Sequence, residues 1–229
     1  PSAELLQEVQ VEVSAGAATT LEIVPASATM VAGDYLTLEA FAYDAYGNAA
    51  TDEIFFELAT GPGYIDMYGY YDSMTAGEAT VRAYSGSLED FATVLVEPGP
   101  TEMIDLTPYG PLWITADDQP TQFTALTYDY NGNETPDTAT WTVDNPNWSV
   151  DSSGLLTGTQ PGTGTVTAGV GTMTAQVSVD IQPGAPVSVS ISPDSPDPQV
   201  LEAGTDSVLF SASAMDAHGN VFSTSSYEW

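Results

Sequence analysis

Apolar residues alternate with small or polar residues in one stretch of each third of the chain. In the first stretch, Leu36, Leu38, Ala40 and Ala42 share one face of an extended segment. The equivalent residues further along are Thr121, Phe123, Ala125 and Thr127, and then Val208, Phe210, Ala212 and Ala214. A period of two over eight residues is typical of a half-buried β-strand. The pattern therefore predicts a similar strand three times.

A short turn follows each of these strands and defines an internal repeat. Asp44-Ala45-Tyr46-Gly47-Asn48 returns as Asp129-Tyr130-Asn131-Gly132-Asn133 and as Asp216-Ala217-His218-Gly219-Asn220. The glycines are 85 and 87 residues apart (132 − 47 and 219 − 132). A Gly-Asn pair accepts positive φ and is typical of hairpin turns. A period of this length fits one small all-β domain per repeat, rather than a helical repeat of about 20–50 residues.

Other segments recur with a similar spacing. A short strand ends at Pro25, Pro108 or Pro193, which suits a sheet edge because proline donates no backbone hydrogen bond. A large aromatic residue follows each turn and is predicted to anchor the core from the next strand; these residues are Phe56, Trp141 and Trp229. The last strand of each unit, near residues 94–99 and 179–184, runs directly into the next unit.

The second repeat resembles the bacterial immunoglobulin-like domain, group 2. The resemblance rests on Thr140-Trp141-Thr142-Val143, on the segment 150–158 (VDSSGLLTG) and on the segment 161–168 (PGTGTVTA). In the first repeat, a tyrosine-rich stretch replaces the middle segment, and its Asp-x-x-Gly-Asn turn also resembles invasin/intimin-type repeats. The resemblance implies an all-β fold of tandem immunoglobulin-like β-sandwiches arranged as a rod. It implies no catalytic residues.

The repeat divides the chain at predicted boundaries. Residues 1–16 resemble the last strand of a preceding unit or a donor-type segment, 17–98 and 99–183 are two sandwiches, and 184–229 is the N-terminal half of a third. Two interpretations of these partial units are open. The chain is a piece of a longer repeat protein, or a neighbouring chain completes it by donor-strand exchange. We favour the first, because one donated strand cannot replace the several strands that would follow Trp229.

Charge excludes several functions. The 229 residues include 32 acidic residues and a single basic one, Arg82, for a formal net charge of −31. Binding to nucleic acid is excluded, because nothing would neutralise the phosphates. There is no apolar run of membrane-spanning length, so direct membrane insertion is not expected. The acids are scattered, as on a solvated, halophilic-like surface that high salt would screen.

The side chains available argue against an enzyme. Cysteine and lysine are absent, and His218, the only histidine, occupies a turn position that Tyr46 and Asn131 hold in the other repeats. A nucleophile–histidine triad and the usual zinc ligand sets are therefore unavailable. A carboxylate pair could support only a glycosidase, and tandem sandwiches rarely form the cleft that it needs.

Three kinds of binding residue remain as candidates. Asp117 and Asp118, together with Asp194 and Asp197, are candidate calcium ligands, because loops rich in oxygen ligands can stiffen domain junctions. No other cofactor is expected. Asn133 and Asn147 head Asn-x-Ser/Thr sequons, so they are candidate glycosylation sites. Tyr64, Tyr68, Tyr70 and Tyr71 are a candidate interface, since exposed tyrosines are amphipathic. The alternative is that alternate ones pack in the core and the rest surround it.

Together these features predict an extracellular, cell-surface structural protein that acts by head-to-tail assembly in a filament, sheath, surface layer or stalk. Its partners would be copies of itself or neighbouring repeats. An adhesin that binds a glycan or a host protein is the alternative, and a virion or phage fibre or decoration protein is a second one.

Overall fold

The computed structural model describes residues 9–193, 204 and 208–222. Within these ranges the chain forms twenty β-strands and one three-residue 3-10 helix, so the all-β prediction is confirmed. No helix in the described part of the chain is long and apolar enough to cross a membrane. The chain divides into two compact units, Pro1–Pro100 with Asp129–Asn133, and Thr101–Tyr128 with Glu134–Trp229. The boundaries inferred from the repeat stay a prediction.

The described part of the first unit contains three groups of paired strands. Its nine strands are β1 (Thr20–Val24), β2 (Ser27–Val31), β3 (Tyr35–Thr37), β4 (Glu39–Tyr43), β5 (Phe55–Thr60), β6 (Tyr64–Ile65), β7 (Tyr70–Asp72), β8 (Gly77–Ser85) and β9 (Leu88–Glu97). They pair as β1-β4, as β2-β9-β8-β5 and as β3-β7-β6. The pair β2-β9 is parallel and all the others are antiparallel.

The second unit repeats this topology strand for strand. Its strands are β10 (Met103–Thr107), β11 (Leu112–Thr115), β12 (Thr121–Gln122), β13 (Thr124–Tyr128), β14 (Thr140–Val143), β15 (Ser149–Val150), β16 (Leu155–Thr157), β17 (Gly162–Val170) and β18 (Met173–Gln182). The 3-10 helix spans Ala116–Asp118. Two further strands, β19 (Pro186–Pro193) and β20 (Phe210–Asp216), pair with each other as β1 and β4 do.

Alternation along the longest hairpin builds each core. The central part of β8 and the second half of β9 bury alternate side chains, including Val81, Val94 and Val96. The equivalent buried side chains of β17 and β18 include Val166, Val179 and Ile181. The predicted aromatic anchors Phe56 and Trp141 are partly buried against these cores. Trp229 lies outside the described residues.

The alternating strand found in the sequence is interrupted in the fold. Leu38 lies between β3 and β4, where its N–H donates to the carbonyl of Gly69 at 2.9 Å. Phe123 does the same to Gly154 at 2.9 Å in the second unit. Both glycines have positive φ, +84° each, and a Cβ on Gly154 would lie 2.5 Å from the Phe123 carbonyl oxygen. One alternating stretch therefore contributes strands to two sheets. A glycine from a later segment lies against the point where the stretch passes from one sheet to the other, which we call the strand switch.

Candidate functional site

The aspartate of each repeated turn organises the turn around its carboxylate. One oxygen of Asp44 accepts the backbone N–H groups of Tyr46 and Asn48, at 2.9 and 3.0 Å. Asp129 and Asp216 make the same two bonds within their own turns, at 2.8–2.9 Å. All three aspartates are buried. The turn is thus a self-contained hydrogen-bonded loop, an Asx-type arrangement.

The second carboxylate oxygen of each aspartate holds a glycine that is distant in sequence. Gly16 donates its N–H to Asp44 at 2.9 Å, Gly99 donates to Asp129 at 2.8 Å, and Gly184 donates to Asp216 at 2.8 Å. Gly99 and Gly184 follow the last strand of a repeat. Each turn therefore fastens the segment that leads into its own repeat. We name this arrangement, the turn aspartate with its bound glycine, the clasp.

The asparagine that ends each turn makes further contacts in two of the three clasps. Within the first unit, the Asn133 amide donates to the Met74 carbonyl at 2.9 Å and accepts from the Ala76 N–H at 2.8 Å. Within the second unit, Asn220 donates to the Thr159 carbonyl at 2.7 Å. Among the described residues, the Asn48 amide bonds only to Asp44, at 3.0 and 3.2 Å. Counting the described residues alone, the asparagine of the first clasp therefore bonds to fewer residues than the asparagines of the other two.

These bonds hold the turn carboxylates in their charged form. The amide of Asn48, and then the N–H of Gly16, lower the pKa of Asp44 well below its usual range. Burial alone would raise the pKa of Asp216, but its hydrogen bonds outweigh burial and lower the pKa to about 2. The pKa of Asp129 is lowered against burial in the same way, by Asn133 and Gly99. Hydrogen bonds to a charged carboxylate produce shifts of this sign.

The segment before the first clasp presents an apolar face to solvent. Aligning Gly16 with Gly99 matches Val9, Val11 and Val13 to Ala92, Val94 and Val96. The valines are 77, 79 and 89% exposed, whereas their counterparts in β9 are 1, 0 and 1% exposed. Residues 9–19 form no strand, although the sequence resembles a last strand there. The apolar pattern of a core strand is present, and in the described structure nothing covers it.

Two of the predicted calcium ligands, Asp117 and Asp118, are described, and they bond to different partners. Asp117 accepts the N–H of Ala185 at 2.7 Å and lies 3.7 Å from His218. Asp118 instead accepts the N–H and the hydroxyl of Thr115. The described residues contain no group of three or more histidine, cysteine or acidic side chains that could hold a metal ion. Asp194 and Asp197 lie outside the described residues, so the calcium prediction stays a prediction.

The two sequons differ in their surroundings. Both donor positions of the Asn133 amide are used, one by Met74 and one by Asp129. A glycan on that nitrogen would break at least one of these bonds, so the fold argues against Asn133. Asn147 is exposed, and its backbone N–H donates to Asn145. Glycosylation of Asn147 stays a prediction.

The tyrosine prediction needs one correction. Tyr71 is fully buried, and its hydroxyl donates to the Pro62 carbonyl at 2.5 Å, so it belongs to the core and not to an interface. The reason is strand alternation: Tyr70 and Tyr71 are neighbours in β7 and must face opposite ways. Tyr64, Tyr68 and Tyr70 are exposed, so their role in an interface stays a prediction. Tyr35, which was not predicted, lies beside Tyr70 with ring centroids 5.8 Å apart.

Arg82 lies on the surface of the first unit and pairs with two acids. It donates to Glu57 at 2.7 Å and to Glu89 at 2.8 Å, and its guanidinium lies 4.8 Å from the centroid of the Tyr84 ring. The hydrogen bond to Glu57 is the largest of several effects that raise its pKa. The one basic side chain of the protein is therefore held between two carboxylates and an aromatic ring.

Sequence reasoning missed one buried aromatic residue. Trp148 lies in the second core and donates its indole N–H to the Gln160 carbonyl at 2.9 Å. A Cβ on Gly158 or Gly164 would come within 2.5 or 2.7 Å of its ring. Those glycines were the available signal, because small residues around a tryptophan indicate close packing.

Comparison with known proteins gives structural matches only. No family model matches the chain, and no curated protein matches it. Domains 1–6 of the surface layer protein SbsC are 22% identical over 91% of this chain and 32% of that one, with a TM-score of 0.39. InvD of Yersinia pseudotuberculosis is 16% identical over 89% and 71%, with a TM-score of 0.51.

Invasin, a bacterial integrin-binding protein, is 20% identical over 89% of this chain and 47% of that chain, with a TM-score of 0.50. The fold is that of tandem immunoglobulin-like β-sandwiches. The resemblance to invasin-type repeats is thereby confirmed as a likeness of fold. The chain spans about a third of the length of the surface layer structure, 32%.

Proposed function

We propose that the chain is a structural segment of an extracellular surface protein, which acts by head-to-tail assembly of immunoglobulin-like repeats. It would form part of a filament, sheath, surface layer or stalk, without a catalytic role. The clasps support this proposal, because each one fastens the segment that leads into its own repeat through a backbone group and needs no ligand. The likeness of fold to surface and adhesion proteins agrees with it.

One observation carries the proposal. The exposed face of Val9, Val11 and Val13 matches residues that both complete sandwiches bury: Ala92, Val94 and Val96 in β9, and Val177, Val179 and Ile181 in β18. Burying a valine side chain is worth about 1.5–3 kcal/mol. Three valines in strand alternation therefore favour docking against another repeat. The clasp between Gly16 and Asp44 already fixes the point where this segment would leave such a repeat.

A pair of charge-matched variants tests this assembly. Val11→Asp adds a negative charge among the valines, and Gln10→Asp adds the same charge at a position that would face away from the core in a docked strand. Sedimentation over a range of concentrations, in about 1 M salt to screen repulsion, would follow assembly, and electron microscopy would show its form. We expect assembly of the unmodified chain and of Gln10→Asp, and its loss in Val11→Asp. A monomer under every condition, or equal behaviour of both variants, would overturn the proposal.

The alternative, an adhesin, is favoured by a different observation. The first unit exposes several tyrosines on one short sheet, a composition that suits recognition of a partner. Binding of the purified chain to a glycan array or to host proteins would support this role. Blank arrays, from a chain that assembles into fibres, would contradict it.

A further inference from the structure

The sheet β3-β7-β6 carries an exposed aromatic face around one carboxylate. Tyr35 of β3 and Tyr64 of β6 both lie opposite Asp72 of β7, so the three side chains form a row across the sheet. Tyr70, two residues before Asp72, lies on the same side, and its ring stacks against Tyr35 with an interplanar angle of 29°. Tyr35, Tyr64 and Tyr70 are 71, 66 and 51% exposed. We name this set, Tyr35, Tyr64, Tyr70 and Asp72, the tyrosine face.

The second unit shows that the fold does not require this face. Its sheet β12-β16-β15 has the same pairing, so each position has a counterpart. Pro120, Ser149, Leu155 and Thr157 stand where the first unit has Tyr35, Tyr64, Tyr70 and Asp72. A sandwich of the same topology thus forms without the tyrosines or the carboxylate. Large exposed aromatic groups on one copy only indicate a role in binding.

The face encloses a shallow cavity with acceptor groups at its edge. The cavity, of about 230 Å³, is lined by the tyrosine face together with Asp66 and Tyr71. Asp66 accepts the N–H groups of Tyr68 and Tyr70 through one oxygen, which leaves its other oxygen available. The Asp72 carboxylate is exposed and has no hydrogen-bond partner among the described residues. The tyrosine face therefore offers a ligand aromatic rings and negative charge. The hydrogen-bond donors among its side chains are phenol hydroxyls alone.

The same unit already holds a cation with this chemistry. Arg82 lies over the Tyr84 ring at 4.8 Å and binds Glu57 and Glu89. An aromatic face with neighbouring carboxylates attracts a guanidinium through both the ring quadrupole and the charge. Arg82 is the only lysine or arginine among the 229 residues, so a cation at the tyrosine face must come from another molecule.

We propose that the tyrosine face binds an arginine- or lysine-bearing segment of another polypeptide. A guanidinium would stack on the Tyr35 or Tyr70 ring and bond to Asp72, as Arg82 does with Tyr84 and its two glutamates. The net charge of −31 would steer such a segment toward the protein, whereas a neutral sugar would gain nothing from it. This inference concerns a partner and is independent of the assembly proposed above.

The test must separate this face from the diffuse negative charge of the whole surface. The probe is the peptide acetyl-(Gly-Arg)₃-amide, titrated by calorimetry and by amide NMR at about 0.15 M salt, with a citrulline version as the neutral control. The variant Tyr64→Ser/Tyr70→Leu introduces the residues of the second unit and leaves the net charge unchanged. Tyr46→Ser/Tyr130→Ser is the matched control, since both tyrosines are exposed in turns.

We expect amide shifts at Tyr64, Tyr70 and Asp72, at least tenfold weaker binding in Tyr64→Ser/Tyr70→Leu, and unchanged binding in the control variant. Asp72→Asn should weaken binding as well, and it provides a second reading if the double variant does not fold. Equal affinity of all variants would show that the peptide senses only the overall charge and would overturn the proposal. Binding of the citrulline peptide or of maltohexaose at this face, without binding of the arginine peptide, would also overturn the proposal.

Discussion

The backbone N–H of Gly16 donates to a carboxylate oxygen of Asp44 at 2.9 Å, across 28 residues of sequence. The same bond joins Gly99 to Asp129 and Gly184 to Asp216. The carboxylate of each turn is thus occupied by N–H groups of the protein itself. Its role in the fold is to hold the segment that leads into its own repeat.

The two asparagines Asn133 and Asn48 should differ in their contribution to stability. Asn133→Ala removes bonds to Met74, Ala76 and Asp129, so we expect a loss of about 1–3 kcal/mol in the free energy of unfolding. Among the described residues, Asn48→Ala removes only bonds to Asp44, so it should cost about 1 kcal/mol or less. Urea unfolding curves of both variants measure the difference. Equal losses would show that the additional bonds of Asn133 add no stability.

Acid should weaken the clasps. An ordinary aspartate in an unfolded chain has a pKa near 3.9, and hydrogen bonds depress the pKa of Asp216 in the fold to about 2. A depressed folded-state pKa stabilises the fold above the unfolded value, and that stability is lost as the pH falls from about 4 to about 2. Asp44 and Asp129 shift in the same direction and should add to the loss.

Urea unfolding at pH 6, 4, 3 and 2 measures this acid sensitivity. Asp216→Asn cannot change its charge, so its stability should fall less steeply below pH 4 than that of the unmodified chain. Parallel pH profiles for the two proteins would contradict the assigned role of the carboxylate.

Glycine at the strand switch should be indispensable. Gly154→Ala forces a side chain onto a backbone with φ of +84° and brings its Cβ within 2.5 Å of the Phe123 carbonyl oxygen. We expect a loss of about 2–4 kcal/mol from strain and overpacking together. Gly171→Ala is the control, because its φ of +57° is also positive but nothing lies within 4 Å of the added atom. It should cost about 1–2 kcal/mol. Thermal unfolding measures the loss of stability in both variants. A larger loss in Gly171→Ala than in Gly154→Ala would contradict the role assigned to Gly154.

Salt should stabilise the fold. The chain has 32 acidic residues and one basic residue, so most carboxylates lack a cationic partner and repel one another. At about 1 M salt the Debye length is about 3 Å, which removes most of this repulsion. We expect the melting temperature to rise by about 3 °C or more between 0.01 and 1 M sodium chloride, equivalent to about 1 kcal/mol. A melting temperature that does not move would rule out self-repulsion as a significant cost.

The repeat made much of the fold predictable. Alternation at Leu36–Ala42, the Gly-Asn turns and the recurring strand-end prolines indicate the β class and the order of similar units, and these features depend on local backbone preferences. The interruption at Leu38 was not predicted, because it depends on Gly69, a residue 31 positions away (69 − 38) that supplies the carbonyl. Local periodicity carries no information about such a partner.

The candidate sites were harder to predict for the same reason. Composition shows that Tyr64, Tyr68, Tyr70 and Tyr71 cluster, but only the strand assignment shows that Tyr71 points into the core. The pairing of Asp72 with both Tyr35 and Tyr64 depends on sheet register, which the sequence does not specify in a three-residue strand. The clasp bonds join residues 28 to 32 positions apart and follow from no motif.

Hydrogen exchange at residues 9–13 tests the central proposal, that the exposed valine segment of this chain docks against another repeat as a strand. The backbone amides of Val9, Val11 and Val13 would be followed by mass spectrometry at low and at high protein concentration. We predict fast exchange in the dilute protein and strong protection once the chain assembles, with no protection in Val11→Asp. Exchange at these amides that stays fast in the assembled protein, or a chain that never assembles, would contradict the account.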